Sequence, residues 1–496
     1  MTLHETARID SPVSEEKNPF ISPLGKNPSG HPKTRRTLLT GEPGATLVER
    51  LFNELRHRID QRLLRPGSRL PSIRQCADRH GISRFTVVEA YERLVAQGYL
   101  ESRRGSGFYV RERRPLTAPP TDDPVPPALD VVWLVRAMFR DLPPERMPGS
   151  GLLPPDWLDS ALLGRGLRSA TRGDSTPLLG YGEPQGYAPL RNQLQVKLAE
   201  IEIAATPEQM VLTAGVTQAF DLIARQFLRP GDAVLVDDPG WFLMFGMFAA
   251  LGARPIGVPR QSDGPDLAVL EQLLREHRPP LYVTTSVLHN PTGTSLTSAK
   301  AFQILRLAEQ YGVRLVEDDI YADFCEAPAV RLAALDQLQR VIYVGSFSKT
   351  VAANLRVGFI ASERDLARAL ADRKLLAALT TPELGERVMH HVLAEGHYRK
   401  HVERLRGRLA ARREPVLSRL EQLGLRVFAD PQGGMFAWLD AGRDSHVLAA
   451  RAYEQRWLLA PGSLFSPGQL PSSWLRFNLA SSSHPDLLRF LEQALA

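Results

Sequence analysis

Apolar residues first fall into a regular pattern at Leu47, Leu51, Leu55 and Ile59, one at every fourth position. That spacing predicts a helix with a single apolar stripe, which stops at Pro66–Gly67. Two shorter helices are expected next. Ser72, followed three residues later by Gln75, has the form of a capping box opening a helix that reaches His80–Gly81. Ser83 can cap a third, running through Arg84, Phe85, Thr86, Val87, Val88, Ala90 and Tyr91 to Gly98. Two helices joined by a tight glycine turn make a helix-turn-helix. The following run, Tyr99–Val110, predicts a β-hairpin wing with Gly105-Ser106-Gly107 at its tip and Arg103 and Arg104 beside it.

Beyond residue 130 the pattern changes. Short apolar runs at Val211–Thr213, Ala233–Val236, Leu281–Thr285, Arg314–Val316 and Val341–Val344 predict strands, with helical patterns between most of them. The fold class is therefore α/β, a mostly parallel sheet covered by helices. In such sheets ligands gather at the carboxyl ends of the strands. The longest apolar stretch, Trp241–Ala253, is too short to cross a bilayer and predicts a buried helix, so no membrane partner is expected.

Composition divides the chain further. Residues 1–42 are rich in Pro, Ser, Gly, Asn and Lys without an apolar period, and a disordered tail is expected there. The helix-turn-helix module occupies 43–111. Residues 112–129, with Pro115, Pro119, Pro120, Pro124, Pro126 and Pro127, predict a semi-rigid linker to a domain at 130–496. Residues 1–115 carry 21 Lys and Arg against 13 Asp and Glu, a net of +8, whereas the rest carries 40 against 42, a net of −2. The positive excess thus sits entirely in the first quarter, as a phosphate-backbone partner favours. Cys76 and Cys325 are far apart and suggest no disulfide framework, which fits a cytoplasmic protein.

The candidate chemistry lies after the predicted strands. Lys349, in Ser346-Phe347-Ser348-Lys349-Thr350, follows one strand; a buried lysine there can form a Schiff base with an aldehyde cofactor. Arg356 offers a fork for a phosphate. Asp318, in Glu317-Asp318-Asp319-Ile320-Tyr321, could keep a pyridine nitrogen protonated, and Tyr321 could reach a ring hydroxyl. Asn290-Pro291-Thr292-Gly293 follows the Leu281–Thr285 run. Ala214-Gly215-Val216-Thr217-Gln218 joins a strand to a helix whose first N–H groups can seat a phosphate. Trp241 offers a face for stacking on a flat ring. Trp474–Asn478 is strand-like and presents Arg476, suited to a carboxylate. His390, His391, His397 and His401 lack any Cys or His-Glu-x-x-His context, so a solvated basic helix is expected rather than a metal site.

The first module resembles the GntR winged-helix family. The resemblance rests on Arg65–Ser72, Ser83-Arg84 with Thr86-Val87, Ala90-Tyr91 and the Gly105-Ser106-Gly107 wing. It implies Arg74, Ser83, Arg84, Thr86 and Gly105 as contacts to double-stranded promoter DNA. The ordered motifs of residues 130–496 resemble the class I aminotransferases of fold type I, a parallel-sheet domain with a small C-terminal α+β domain. That resemblance implies pyridoxal 5′-phosphate as cofactor, carried by Lys349. Asp318 would face the pyridine nitrogen, with Tyr321 and Asn290 on the ring hydroxyl and Trp241 stacked on the ring. Val216, Thr217, Ser346, Ser348 and Arg356 would surround the phosphate. Arg476 would take the carboxylate of an amine or amino-acid effector, and Tyr181, in Gly180–Gly186, would reach the phosphate of a neighbouring subunit in a homodimer. One stretch departs from the family: Val351-Ala352-Ala353-Asn354-Leu355 stands where relatives often carry Pro-Gly, which bears on the local loop shape. The two halves together resemble the MocR-like regulators, in which the cofactor domain senses a ligand and controls promoter binding with at most partial transaminase chemistry. A working aminotransferase that carries a DNA-binding domain is the alternative.

Overall fold

The computed structural model describes residues 45–111, 131–139, 142–172, 176–431 and 433–495. The expected tail (1–42) and linker (112–129) lie outside them. The chain divides into two compact units, Met1–Pro124 and Val125–Ala496.

In the first unit, α1 (Leu47–Asp60) buries Leu51, Phe52, Leu55 and Ile59, while Leu47 stays half exposed at its start. It stops at Asp60, earlier than the Pro66–Gly67 expected. Gln61 caps it, Arg62 turns into the left-handed region at φ 58°, and Leu63 is left exposed. The Ser72–Gln75 capping box opens α2 (Ile73–His80), and Gly81 closes it at φ 65°. Ser83 caps α3 (Arg84–Ala96), whose Val87, Ala90, Tyr91 and Leu94 face inward. The hairpin pairs β1 (Leu100–Arg103) with β2 (Gly107–Val110), antiparallel. Leu51, Leu55, Val87, Tyr91, Leu94 and Leu100 meet in one core.

The second unit is built on an eight-stranded sheet. In chain order its strands are β3 (Met210–Thr213), β4 (Ala233–Asp238), β5 (Arg254–Gln261), β6 (Gly264–Pro265), β7 (Leu281–Thr284), β8 (Arg314–Asp318), β9 (Val341–Ser346) and β10 (Gly358–Ala361). The spatial order is β3-β10-β9-β8-β7-β4-β5-β6. Neighbours from β9 through β5 run parallel, while β10 is antiparallel to both β3 and β9. Apart from β5, the strands are largely buried on both faces, as a helix-covered sheet requires: Val234 and Val236 enter one core and Leu235 the other. The helix Phe242–Ala250 buries Phe242, Met244, Phe245 and Phe248, in line with the buried helix expected there. A second sheet, β11 (Arg426–Val427), β12 (Phe436–Asp440), β13 (Ala460–Pro461) and β14 (Trp474–Asn478), has the order β11-β12-β14-β13 and is antiparallel. No helix among the described residues is long and apolar enough to cross a membrane.

Candidate functional site

Most of the candidate residues of the large unit lie at or just after the carboxyl ends of five strands. Val216 and Thr217 follow β3, Trp241 follows β4, Asn290 follows β7, Asp318 ends β8, and Ser346, Ser348 and Lys349 end or follow β9. Gly358 on β10 pairs with both Thr213 and Ser346, which brings the two ends bearing phosphate candidates side by side.

Gly215 stands at φ 75°, ψ 176°, a conformation that glycine adopts without strain, and it opens the helix Val216–Phe227. A Cβ there would lie 2.8 Å from Arg356 Nη2, and that nitrogen donates to Ala214 O at 2.8 Å. Arg356 itself sits at φ 52° behind the short helical turn Ala353–Leu355, so the departing loop still returns the guanidinium to the helix start. Ser346 Oγ donates to Ser348 Oγ at 3.1 Å and accepts from Ser348 N at 3.2 Å. Free helix N–H groups, two hydroxyls and a guanidinium together form a phosphate seat.

Lys349 is half-buried, and its Nζ donates to Gly151 O at 2.9 Å. Burial, aided by the nearby charges of Arg476 and Arg356, pushes its pKa down to about 8. Asp318 shows the opposite effect. Burial raises its carboxyl to about 7, and its hydrogen bond among the described residues comes from Ile320 N at 3.3 Å. A buried carboxylate so poorly compensated fits a cationic N–H partner, and a pyridinium nitrogen is one. Tyr321 is buried edge-on to Phe436 at 5.1 Å, with Lys349 Nζ 5.9 Å from its ring centre. Trp241 is half-buried against Phe220, their centres 5.8 Å apart.

Arg476 is 2% exposed, and burial lowers its pKa to about 10. Its Nη1 donates to Asn290 Oδ1 at 2.9 Å and its Nη2 to Gly149 O at 2.7 Å. Its Nε has no hydrogen-bond partner among the described residues. The rings of Phe436 and Phe465 flank the guanidinium at 4.5 and 4.9 Å. A buried guanidinium among aromatic faces, without a carboxylate, is a seat for one.

Residues 149–152, together with Phe436 and Phe465, complete this site and had not been singled out from sequence. Gly151 brings the two cations together: a Cβ on it would lie 3.7 Å from Arg476 Nη2 and 3.8 Å from Lys349 Nζ. The Gly149-Ser150-Gly151 run was the available signal. Tyr181, by contrast, is 82% exposed.

In the first unit Arg74, Ser83, Arg84 and Gly105 are exposed and Thr86 half-buried. Ser83 Oγ lies 2.8 Å from Thr86 Oγ1 and accepts from Thr86 N at 3.0 Å, so both hydroxyls serve the cap. In the wing Arg103 bonds Glu101 and lies over Tyr109 at 4.4 Å, whereas Arg104 is exposed. The expectation of a solvated histidine helix needs correction. His397 is exposed, but His401, one turn on, faces inward at 1% exposure with its Nε2 2.6 Å from Thr350 O, and His390 and His391 are half-buried. The helix His397–Gln422 thus packs one face, Tyr398, His401, Val402 and Leu405, behind the lysine loop. Among the described residues no group of three or more His, Cys, Asp or Glu could hold a metal.

A winged helix joined to a parallel-sheet domain with a half-buried lysine and a phosphate seat defines a DNA-binding protein with a cofactor-binding domain. The chain belongs to the class I and II aminotransferase family, which matches residues 149–493, and carries a gntR-family regulatory segment at residues 47–110. Its large domain is a fold type I domain whose cofactor is pyridoxal 5′-phosphate. The HTH-type transcriptional regulator YisV of Bacillus subtilis is 28% identical over 430 residues, 84% of this chain and 88% of its own. YdcR of Escherichia coli, also an HTH-type transcriptional regulator, is 29% identical over 446 residues, 87% and 94% respectively. The crystal structure of LysN, the α-aminoadipate aminotransferase of Thermus thermophilus complexed with N-(5′-phosphopyridoxyl)-L-leucine, superposes with a TM-score of 0.67. It is 28% identical, covering 73% of this chain and 94% of LysN. The protein is a GntR-type regulator fused to an aminotransferase-like domain, the MocR-like architecture.

Proposed function

We propose that the large domain senses an amine or amino acid through its cofactor and alters promoter binding by the winged helix, in the cytoplasm. The carrying observation is Arg476, a buried guanidinium with no carboxylate partner among the described residues, which shares the 149–151 segment with Lys349. Bound pyridoxal phosphate supplies an aldehyde for amines and an electron-withdrawing ring. Lys349 carries it, Asp318 holds the proton on its ring nitrogen, and Tyr321 and Asn290 bind its hydroxyl. Trp241 stacks on the ring, and Val216, Thr217, Ser346, Ser348 and Arg356 bind the phosphate. Arg476 orients the effector's carboxylate. Arg74, Ser83, Arg84, Thr86 and Gly105 contact DNA.

The working unit is a homodimer, in which Tyr181 serves the partner's phosphate. Exposed apolar side chains support this: Leu179 and Tyr181 on one segment, and Leu376, 90% exposed, with Leu379 on another. The residue after Tyr181 lies beside the helix that begins shortly after Leu379: a Cβ on Gly182 would lie 3.0 Å from Glu383 Oε2. Apolar patches of this kind mark interfaces.

Regulation requires that the effector bind the DNA-competent and incompetent states unequally. Candidate amino acids are screened by shifts in the cofactor's visible absorption band, and those that shift it are retested in promoter binding. At least one is expected to change promoter affinity several-fold. Sustained turnover of an amino donor and keto acid, without specific promoter binding, would establish the aminotransferase alternative instead.

A further inference from the structure

The first turn of α3 carries an aromatic ring that the described residues of its own unit leave uncovered. Phe85 stands between Arg84 and Thr86 and is 75% exposed, the most exposed large apolar side chain among the described residues of the first unit. The reason is geometric. At 100° per residue, Phe85 lies about 200° around the helix from Val87, which points into the core. The hydroxyls on either side are committed to the cap, Ser83 Oγ with Thr86 Oγ1 at 2.8 Å. Ser83, Arg84 and Phe85 are exposed at this helix start, and of these the side chains of Arg84 and Phe85 take no part in the cap.

We propose that Phe85 reads thymine: its ring packs on the 5-methyl group of a thymine in the major groove, beside the phosphate and base contacts of Arg84. The inference rests on the DNA-binding reading of this unit. A recognition helix presents its N-terminal residues to base edges, and the apolar group displayed on those edges is the thymine methyl. A helix does not fit the minor groove, where apolar wedges act between base steps. The ring thus meets its chemical complement at the point where the helix enters.

The test uses the full-length protein and duplexes that it enriches from a random DNA pool, with binding measured at one fixed salt concentration. Each thymine in turn is replaced by deoxyuracil, which removes only the methyl. Wild-type protein should lose about fourfold in affinity at one thymine position per recognition helix, the worth of one methyl-sized apolar contact. Phe85→Ala should bind the enriched duplex more weakly and treat its thymine and uracil forms alike. Phe85→Leu should retain part of the discrimination, with both variants melting like wild type by circular dichroism. Uracil tolerated at every position of an enriched sequence, or discrimination that persists in Phe85→Ala, overturns the assignment of Phe85 alone. Selection that enriches no sequence overturns the DNA-binding reading with it.

Discussion

Asp318 should be replaceable at a gain in stability and a loss of cofactor binding, and the two effects can be measured separately. In the cofactor-free protein burial moves its carboxyl from 3.8 to about 7. A folded pKa above the unfolded one means that the native state holds the extra proton. This group's contribution is therefore fully present below about pH 4 and is lost as pH rises to about 7, by up to about 4 kcal/mol at 1.36 kcal/mol per pH unit. Asp318→Asn removes the titration while keeping the shape. Relative to wild type, the cofactor-free variant should gain stability by an amount that grows by about 3 kcal/mol between pH 5 and pH 8. Urea unfolding followed by tryptophan emission is the suitable assay, because all six tryptophans lie beyond residue 130 and report the large unit. The same variant should bind pyridoxal phosphate more weakly and with an altered spectrum, since the ring nitrogen loses its counter-charge. A stability difference that stays flat from pH 5 to pH 8 would refute the electrostatic reasoning. Wild-type cofactor affinity and spectrum would remove Asp318 from the site.

Lys349→Ala should abolish the visible cofactor band. In wild type, the rate at which cofactor-free protein takes up pyridoxal phosphate should rise with pH and level off near 8, where the lysine has lost its proton, rather than climbing towards the ordinary 10.5; stopped-flow absorbance separates the two. Arg84→Ala should weaken binding to an enriched duplex at least tenfold in an anisotropy titration while leaving the cofactor spectrum untouched. Gly186→Ala should cost about 3 kcal/mol in the same urea assay, because the residue sits at φ 95° and a Cβ would lie 2.5 Å from the Leu212 side chain.

What the sequence made legible was local. Capping boxes, a glycine at a helix end and strand-then-motif order depend on residues a few positions apart, and α2, α3 and the ends of β3, β4, β7, β8 and β9 could be read from them. What was missed depends on distant pairing. β10 is a four-residue run that finds its place only between β3 and β9. β5 carries Pro255, Pro259 and Arg260 and reads poorly as a strand, yet Arg260 is satisfied by a buried ion pair with Asp237 at 2.6 Å. The charge-rich sequence around His401 reads as solvated; which face of that helix packs is set by the lysine loop, far away in sequence. Phe436 reaches Arg476 through the small sheet, whose register places Trp438 opposite Arg476, and Phe465 reaches it from the short turn Gly462–Phe465 that follows β13.

The same long-range contacts bear on how an occupied site could differ from an empty one. Lys349 and Arg476 both donate to backbone carbonyls of one segment, Gly151 O and Gly149 O. Asn478 Nδ2 holds the intervening stretch through Ser150 O and Leu152 O, at 3.0 and 2.8 Å. A carboxylate arriving at Arg476 competes with Gly149 O, and a lysine committed to the cofactor no longer offers an ammonium to Gly151 O. Occupancy thus weakens the two charged ties of this segment and leaves the neutral ones. The Cε of Met138 would lie 3.9 Å from a Cβ on Gly151, and Met138 ends the helix Val131–Met138, whose Trp133 and Leu134 pack with Phe242, Trp438 and Phe465. Phe465, one of the two rings that flank Arg476, therefore belongs to the cluster that seats this first described helix of the large unit. On the proposed function, a change in the charge held at Arg476 would act there through Phe465, and the differential affinity that regulation demands would have a physical place to arise.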